Sequence, residues 1–300
     1  MDLQDYRVQI NKIDDAILSL FKERMDISRQ IALFKKERGL PALDVRRESE
    51  KLADMGEKAG EELRPYAQIL YTALADLSRA HQGNILNNTS AIRNMIEEAS
   101  ERARKIFPRH ARIACQGIEG VEGDYAQMAC DRLFSEPDIL YCASSDRVFS
   151  AIRDDLCEYG ILPLENGAAD STCIIYNLIK HNNCKIVRSL RLKRDEGTNY
   201  PRYLCISKNL EVYPGADRSS VMLTVAHKPG VLYRVLGSIY AQGVNIMKLD
   251  SCPVPERDCE FMIYIDLEMP VCSDNFIQLL CELENMGGEF HYLGSYQEIR

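Results

Sequence analysis

From Asp2 to Arg38 the chain runs without a proline or a glycine. Its apolar residues Ile10, Ile13, Ile17, Leu20, Phe21, Ile27, Ile31 and Phe34 return at steps of three and four. That period is the period of an α-helix. Gly39 and Pro41 supply its stop. At about 1.5 Å per residue the segment predicts a rod of about 54 Å. Two short helices of the same chain cannot cover such a rod. An intertwined helical homodimer would bury it.

Helix geometry then sorts the charges. Arg24 and Lys35 are about three turns apart and fall within about 20° of each other on one face. Arg7 lies about 25 Å from Arg24 along the axis and about 100° round it, so it is expected to reach a partner's pocket rather than its own. Asp44, Arg47 and Glu48 open a second helical pattern, with Asp44 also where an N-cap belongs. Ser78 and Gln82, at i and i+4, share one face of a third helix, which Pro65 is expected to start and Gly83 to end. Four cations, two acids, a hydroxyl and an amide make a pocket for a small polyanion. No Ser/His/Asp triad, metal-ligand cluster or Gly-rich phosphate loop accompanies them, and neither a metal nor a cofactor is expected. The combination points to catalysis by charge placement. Any one of these cations, taken singly, reads as a solvated surface residue.

Taken together, DYRVQINKID, KERMDISRQIALFK, LDVRRESE and DLSRAHQ resemble the all-helical chorismate mutases, especially those fused to prephenate dehydratase in bacterial phenylalanine synthesis. The resemblance covers residues 1–84 and fills each polar position of that family's site. It implies a Claisen rearrangement of chorismate to prephenate, which needs no covalent intermediate and no obligatory proton transfer. In these roles Arg24 and the partner's Arg7 would bind the carboxylates. Lys35 and Gln82 would hydrogen-bond the ether oxygen, Glu48 with Asp44 would take the ring hydroxyl, and Arg47 and Ser78 would complete the carboxylate shell.

With 300 residues, two or three domains are expected. A net charge of −8 argues against nucleic acid as a partner. The N-terminus is polar, and no apolar run reaches membrane-spanning length. The 11 cysteines, none in a CxxC pair and all from Cys115 onward, read as reduced thiols of a cytoplasmic protein.

Residues 85–111 read as a linker that becomes a connecting helix. From Arg112 the grammar changes to short strands (RIACQG, DILYC, YGILPLE, KIVRSLRL) alternating with helical patterns near 124–134, 145–155 and 171–181. This is a small α/β lobe over 112–208. ACQGIEGVEGDYAQMAC and YGILPLENGAADST resemble prephenate dehydratases, with Gly167 in place of that family's Ser. The family then inserts a second α/β lobe before a Thr-Arg-Phe motif. Here RDEGTNYPRYLCIS follows almost at once, and Pro201 stands in place of the Thr. Thr198, three residues earlier, would face the opposite side of a strand. The resemblance therefore implies a truncated, inactive dehydratase lobe.

Residues 209–300 read as β-α-β-β-α-β and resemble the ACT-type (ferredoxin-like) regulatory domain of the same fusions. HKPGVLYRVL is similar to its Gly-Ala-Leu-Tyr effector motif, with Val231 for Ala. LDSCP is similar to Glu-Ser-Arg-Pro, with Asp250 for Glu and Cys252 for Arg. Gly230, Val231, Leu232, Asp250 and Ser251 are the implied contacts to an amino-acid effector. The expected architecture is thus multidomain: an all-α intertwined unit, a small α/β remnant and an α+β ACT-like tail. A bifunctional mutase-dehydratase and a non-catalytic amino-acid sensor are the alternatives.

Overall fold

The computed structural model describes residues 2–40, 45–86, 91–102, 105–117, 125–165, 171–192, 201–254, 257, 259–271, 273–286 and 288–299. Asp44, Gly167 and Thr198 lie outside them. The first helix, α1 (Leu3–Arg38), is as long as its spacing implies. A reciprocal cap starts it: the Asp2 carboxylate accepts from the Asp5 amide at 2.9 Å, and the Asp5 carboxylate from the Asp2 amide at 2.9 Å. Gly39 ends it in the left-handed region at φ 63°. Then come α2 (Val45–Lys58) and α3 (Gly60–Leu86).

Both expected limits of the third helix differ from the observed ones. Pro65 lies inside α3 rather than at its start. The bond it forfeits is to the Glu61 carbonyl, in a turn whose residues 61–65 are all exposed, so water can take its place. The start is set instead by Gly60, at φ 76°. Gly83 does not end the helix, which runs on to Leu86. Gly83 is buried, and packing there offsets the roughly 1 kcal/mol cost of an interior glycine.

The expected connecting helix is α4 (Ala91–Arg102), whose Ile92, Ile96 and Ala99 are buried in the second core cluster. It is a packed element, not a spacer. The α/β half follows as β1 (His110–Gln116), α5 (Tyr125–Leu133), β2 (Glu136–Cys142), α6 (Ser145–Arg153), β3 (Tyr159–Glu165), α7 (Ser171–His181), β4 (Lys185–Arg191) and β5 (Arg202–Ser207). The C-terminal half is β6 (Arg218–Ala226), α8 (Val231–Ala241), β7 (Asn245–Pro253), β8 (Glu260–Glu268), α9 (Asp274–Glu284) and β9 (Phe290–Ile299). The order β9-β6-β8-β7, with β6 antiparallel to both neighbours, is the split βαβ arrangement.

One sheet crosses the expected boundary at residue 209. Its order is β2-β1-β3-β5-β4-β9-β6-β8-β7, joined where β4 and β9 run parallel from Arg188↔Gln297 to Leu190↔Ile299. A buried polar network rivets this joint. Arg202 on β5, 1% exposed, pairs with Asp266 on β8 and donates to Ser189 at 2.9 Å and to the Tyr296 hydroxyl at 2.8 Å. Asp266 also accepts from Tyr176 on α7 at 2.9 Å and from Ser220 on β6. Burial pushes the Asp266 carboxyl up, but Arg202 and these donors overcome it and hold it below the ordinary value. A disulfide, Cys173–Cys252, ties α7 to β7. The expectation of reduced thiols throughout does not hold for this pair, because the fold brings together two cysteines 79 residues apart in sequence.

The helices dock on the C-terminal half through α3, α8 and α9. Gln278 on α9 donates to the Ala80 carbonyl on α3, and Arg234 on α8 approaches Asp76 at 3.9 Å. Beside them Glu282 accepts from Gln278 at 2.8 Å and from Gln242 at 3.0 Å. Burial nevertheless pushes its carboxyl up to about 7. A raised carboxyl favours the fold fully below the ordinary glutamate range, and that contribution is lost as pH rises towards 7, by about 3 kcal/mol. Glu282→Gln should therefore melt higher than the wild type at pH 8, with the gap closing towards pH 5. Thermal unfolding across that range checks it, and a gap independent of pH would refute the assignment.

Candidate active site

The α1–α3 contact gathers the predicted site residues of the central turns. Arg24, half-buried on α1, donates to the Leu74 carbonyl at 2.8 Å and to the Ser78 hydroxyl. Burial pushes its guanidinium down from the ordinary value, with Tyr71 opposing. One turn on, Ser28 donates to the Ser78 carbonyl at 3.3 Å and accepts from the Gln82 amide at 3.0 Å. Ser78 and Gln82 are both buried, as the i, i+4 spacing required of one face. One Gln82 N–H goes to Ser28, which leaves its second for a ligand. The Gln82 carbonyl oxygen is buried without a partner among the described residues. An amide left so in a half-open helical groove suits a polar ligand.

The remaining residues are distributed as follows. Lys35 is half-buried further along α1, and Arg47 is exposed on α2. Glu48, on the first turn of α2, pairs with Arg79 of α3, which also holds Asp76. Burial raises Asp76, and Arg79 and Arg234 oppose it. Arg7 is exposed on a stretch of α1, residues 2–20, where every residue is exposed. It is not brought to Arg24. That same stretch bares Ile10, Ile13, Ile17 and Leu20, the last 65% exposed, and α3 bares Leu63, Tyr66, Ile69 and Leu70. Apolar surface so continuous is what a partner helix would cover.

Ser28 and Arg79 were not singled out in the sequence. Ser28 was legible, four residues beyond Arg24 on the same face. Arg79 was not, because its partner Glu48 lies 31 residues away on another helix.

The effector candidates fall on two elements. Gly230, at φ 86°, caps α8, on which Val231 and Leu232 follow. Asp250, paired with Lys248 at 3.3 Å, and Ser251 lie on β7. A cavity of about 460 Å³ opens beside α8, lined by Val231, Arg234, Val235, Arg257 and Glu289 among others, and neither Asp250 nor Ser251 lines it. Among the described residues no His/Cys/Asp/Glu cluster could hold a metal, and no helix is long and apolar enough to cross a membrane.

A three-helix unit with an Arg–Ser–Gln groove, followed by an α/β sheet, defines two classes in one chain. Residues 6–83 match the family Chorismate mutase type II, and residues 113–209 match Prephenate dehydratase. A bifunctional chorismate mutase/prephenate dehydratase of Aquifex aeolicus is 29% identical over 140 residues, 47% of this chain and 37% of the relative. The chain spans less than half the length of the bifunctional relatives it matches. A solved structure described as a novel type of quorum quenching acylase has TM-score 0.54 at 25% identity, over 62% of this chain and 94% of that one. The prephenate dehydratase of Arthrobacter aurescens in complex with L-Phe shares the fold at TM-score 0.53 and 13% identity, over 62% of this chain and 90% of that one. The chain is thus similar to the bifunctional chorismate mutase/prephenate dehydratases, through its helical unit on one side and its α/β half on the other.

Arg79 bridges Glu48 and Asp76, and its side chain is 16% exposed. Arg79→Met should lower stability by about 2 kcal/mol in urea unfolding, because two partly buried carboxylates lose the guanidinium that bridges them and Asp76 is left with the more distant Arg234. Arg79→Lys should recover part of it. Loss of less than about 0.5 kcal/mol would mean that solvent screens both pairs.

Proposed function

We propose that the helical unit is a homodimeric chorismate mutase and that the lobe after it is a dehydratase remnant without activity. The observation that carries the first reading is the Arg24–Ser78–Gln82 groove, with Ser28 beneath it. Chorismate carries two carboxylates, an ether oxygen and a ring hydroxyl. The rearrangement needs the enolpyruvyl arm held over the ring and charge met on the breaking ether oxygen. Arg24, with Ser78 and Arg47, binds carboxylate. Lys35 and the second N–H of Gln82 meet the ether oxygen, and Glu48 with Asp44 receives the ring hydroxyl. Arg7 comes from the partner, because the bare apolar stretch of α1 around it calls for a second copy. Such catalysis works by preorganised charge and asks for no cofactor.

The remnant reading rests on two features. Strand β4 ends at Arg191 and β5 begins at Arg202, which leaves no length for a second α/β lobe to close a cleft. Pro201, directly before β5, has no hydroxyl to offer, and its carbonyl accepts from the Leu192 amide at 3.1 Å. The C-terminal β-α-β-β-α-β half is read as ACT-like, with an amino-acid effector near Gly230, Val231 and Leu232, and Asp250 and Ser251 opposite. The L-Phe held by the Arthrobacter enzyme favours that class of ligand. Here Cys252 is engaged with Cys173 and supplies no cation, so phenylalanine should bind weakly or not at all. Calorimetry decides this, and micromolar phenylalanine binding would overturn it.

Lys35→Ala should lower kcat/KM for chorismate by about 100-fold or more, the usual cost of one preorganised donor to a developing oxyanion. Unchanged turnover would remove Lys35 from the site. The dimer has its own test. Arg7→Ala and Lys35→Ala chains, each nearly inactive, should complement when mixed and refolded, because a mixed dimer holds one doubly damaged pocket and one intact. Random pairing predicts recovery of about a quarter of wild-type activity, since mixed dimers are half of the total and each keeps one pocket in two. Proven mixed dimers without recovery would return Arg7 to its own chain's pocket.

A further inference from the structure

Cys173 stands in the first turn of α7 and Cys252 near the end of β7, with their Cα atoms 6.6 Å apart, within the span a disulfide bridges. Helix α7 belongs to the α/β half and β7 to the C-terminal half. Strand β7 is one of the sheet's two edge strands, paired among the described residues with β8, and each of its residues is half-buried or exposed. Lys248 on β7 also donates to the Thr172 hydroxyl on α7 at 3.2 Å. Both sulfur-bearing residues are half-buried, within reach of a small thiol. The other described cysteines are unlike them. Seven are buried, and burial pushes the thiols of Cys142, Cys157, Cys184 and Cys205 up, away from reactivity. Cys259 is exposed and unpaired.

We propose that Cys173 and Cys252 are a reversible redox clasp, exchanged by a low-molecular-weight disulfide such as glutathione disulfide. One cysteine thiolate attacks the glutathione disulfide, its S–S bond breaks, and a mixed disulfide forms as one glutathione leaves. The second cysteine then displaces the other glutathione. Two electrons pass from the pair to glutathione, and the two thiol protons end on its two thiols. Oxidation fastens β7, with Asp250 and Ser251 just before Cys252, to the start of α7. Reduction removes that covalent tie and leaves β7 held by non-covalent contacts, the β8 ladder and the Lys248–Thr172 contact among them. The oxidation state of the pair therefore sets how tightly the outer strand of the C-terminal half is fixed to the α/β half.

The test equilibrates the folded full-length protein in glutathione buffers from fully reduced to fully oxidised. Thiols are trapped by alkylation and the peptides mapped by mass spectrometry, with amide hydrogen exchange followed over residues 245–253. The expected result is a linked Cys173–Cys252 peptide that appears and disappears reversibly with the glutathione ratio. Exchange in β7 should be about tenfold or more slower in the oxidised state. Cys173→Ser and Cys252→Ser should each abolish the redox dependence of that exchange. Alkylation of both residues in excess glutathione disulfide would overturn the clasp. So would a linked peptide that survives excess dithiothreitol in the folded protein, or β7 exchange that is the same in both states.

Discussion

Arg24 on α1 closes on Ser78 and the Leu74 carbonyl of α3, and both the groove and the docking of the helices depend on that contact. Positions two apart on a helix point about 200° apart. Ser78 and Gln82 therefore turn to α1, while Asp76 and the Ala80 carbonyl are left for Arg234 and Gln278 of the C-terminal half. One helix serves two interfaces. Arg79 lies between them, with Glu48 of α2 on one side and Asp76 on the other. A shift of α3 that changed the docking would move Ser78, Gln82 and the partner of Glu48 together.

A second constraint governs the sheet. Arg202 is buried with its charge, and a buried guanidinium stripped of its partner costs several kcal/mol. Asp266, Ser189 and Tyr296 come from β8, β4 and β9, so the charge of β5 is satisfied only when both halves are assembled. This couples the α/β half to the C-terminal half more firmly than the three paired positions between β4 and β9.

What could be read in the sequence was local. The spacing of Ile10, Ile13 and Ile17 gave α1 its length, and the strand patterns placed 110–116, 136–142, 159–165 and 185–191 within a residue or two. Ser78 and Gln82 were legible as one face because i, i+4 geometry is independent of context. What could not be read was long-range. Nothing near Arg202 marks Asp266 as its partner, nothing near Cys173 marks Cys252, and no strand pattern announces that β4 will pair with β9. Gly83 and Pro65 misled because propensity counts a residue's own preference, while burial at position 83 and solvent at position 61 decided the outcome. The gathering of Arg24, Ser28, Ser78 and Gln82 owes its helix faces to the sequence and its contact to the fold.

Catalysis by fixed charge followed by a dehydratase remnant, as proposed, would lead to one product. Feeding the purified protein chorismate and following the mixture by proton NMR tests that account most directly. Prephenate should accumulate and stay. No conversion of chorismate, or the appearance of phenylpyruvate, would contradict it.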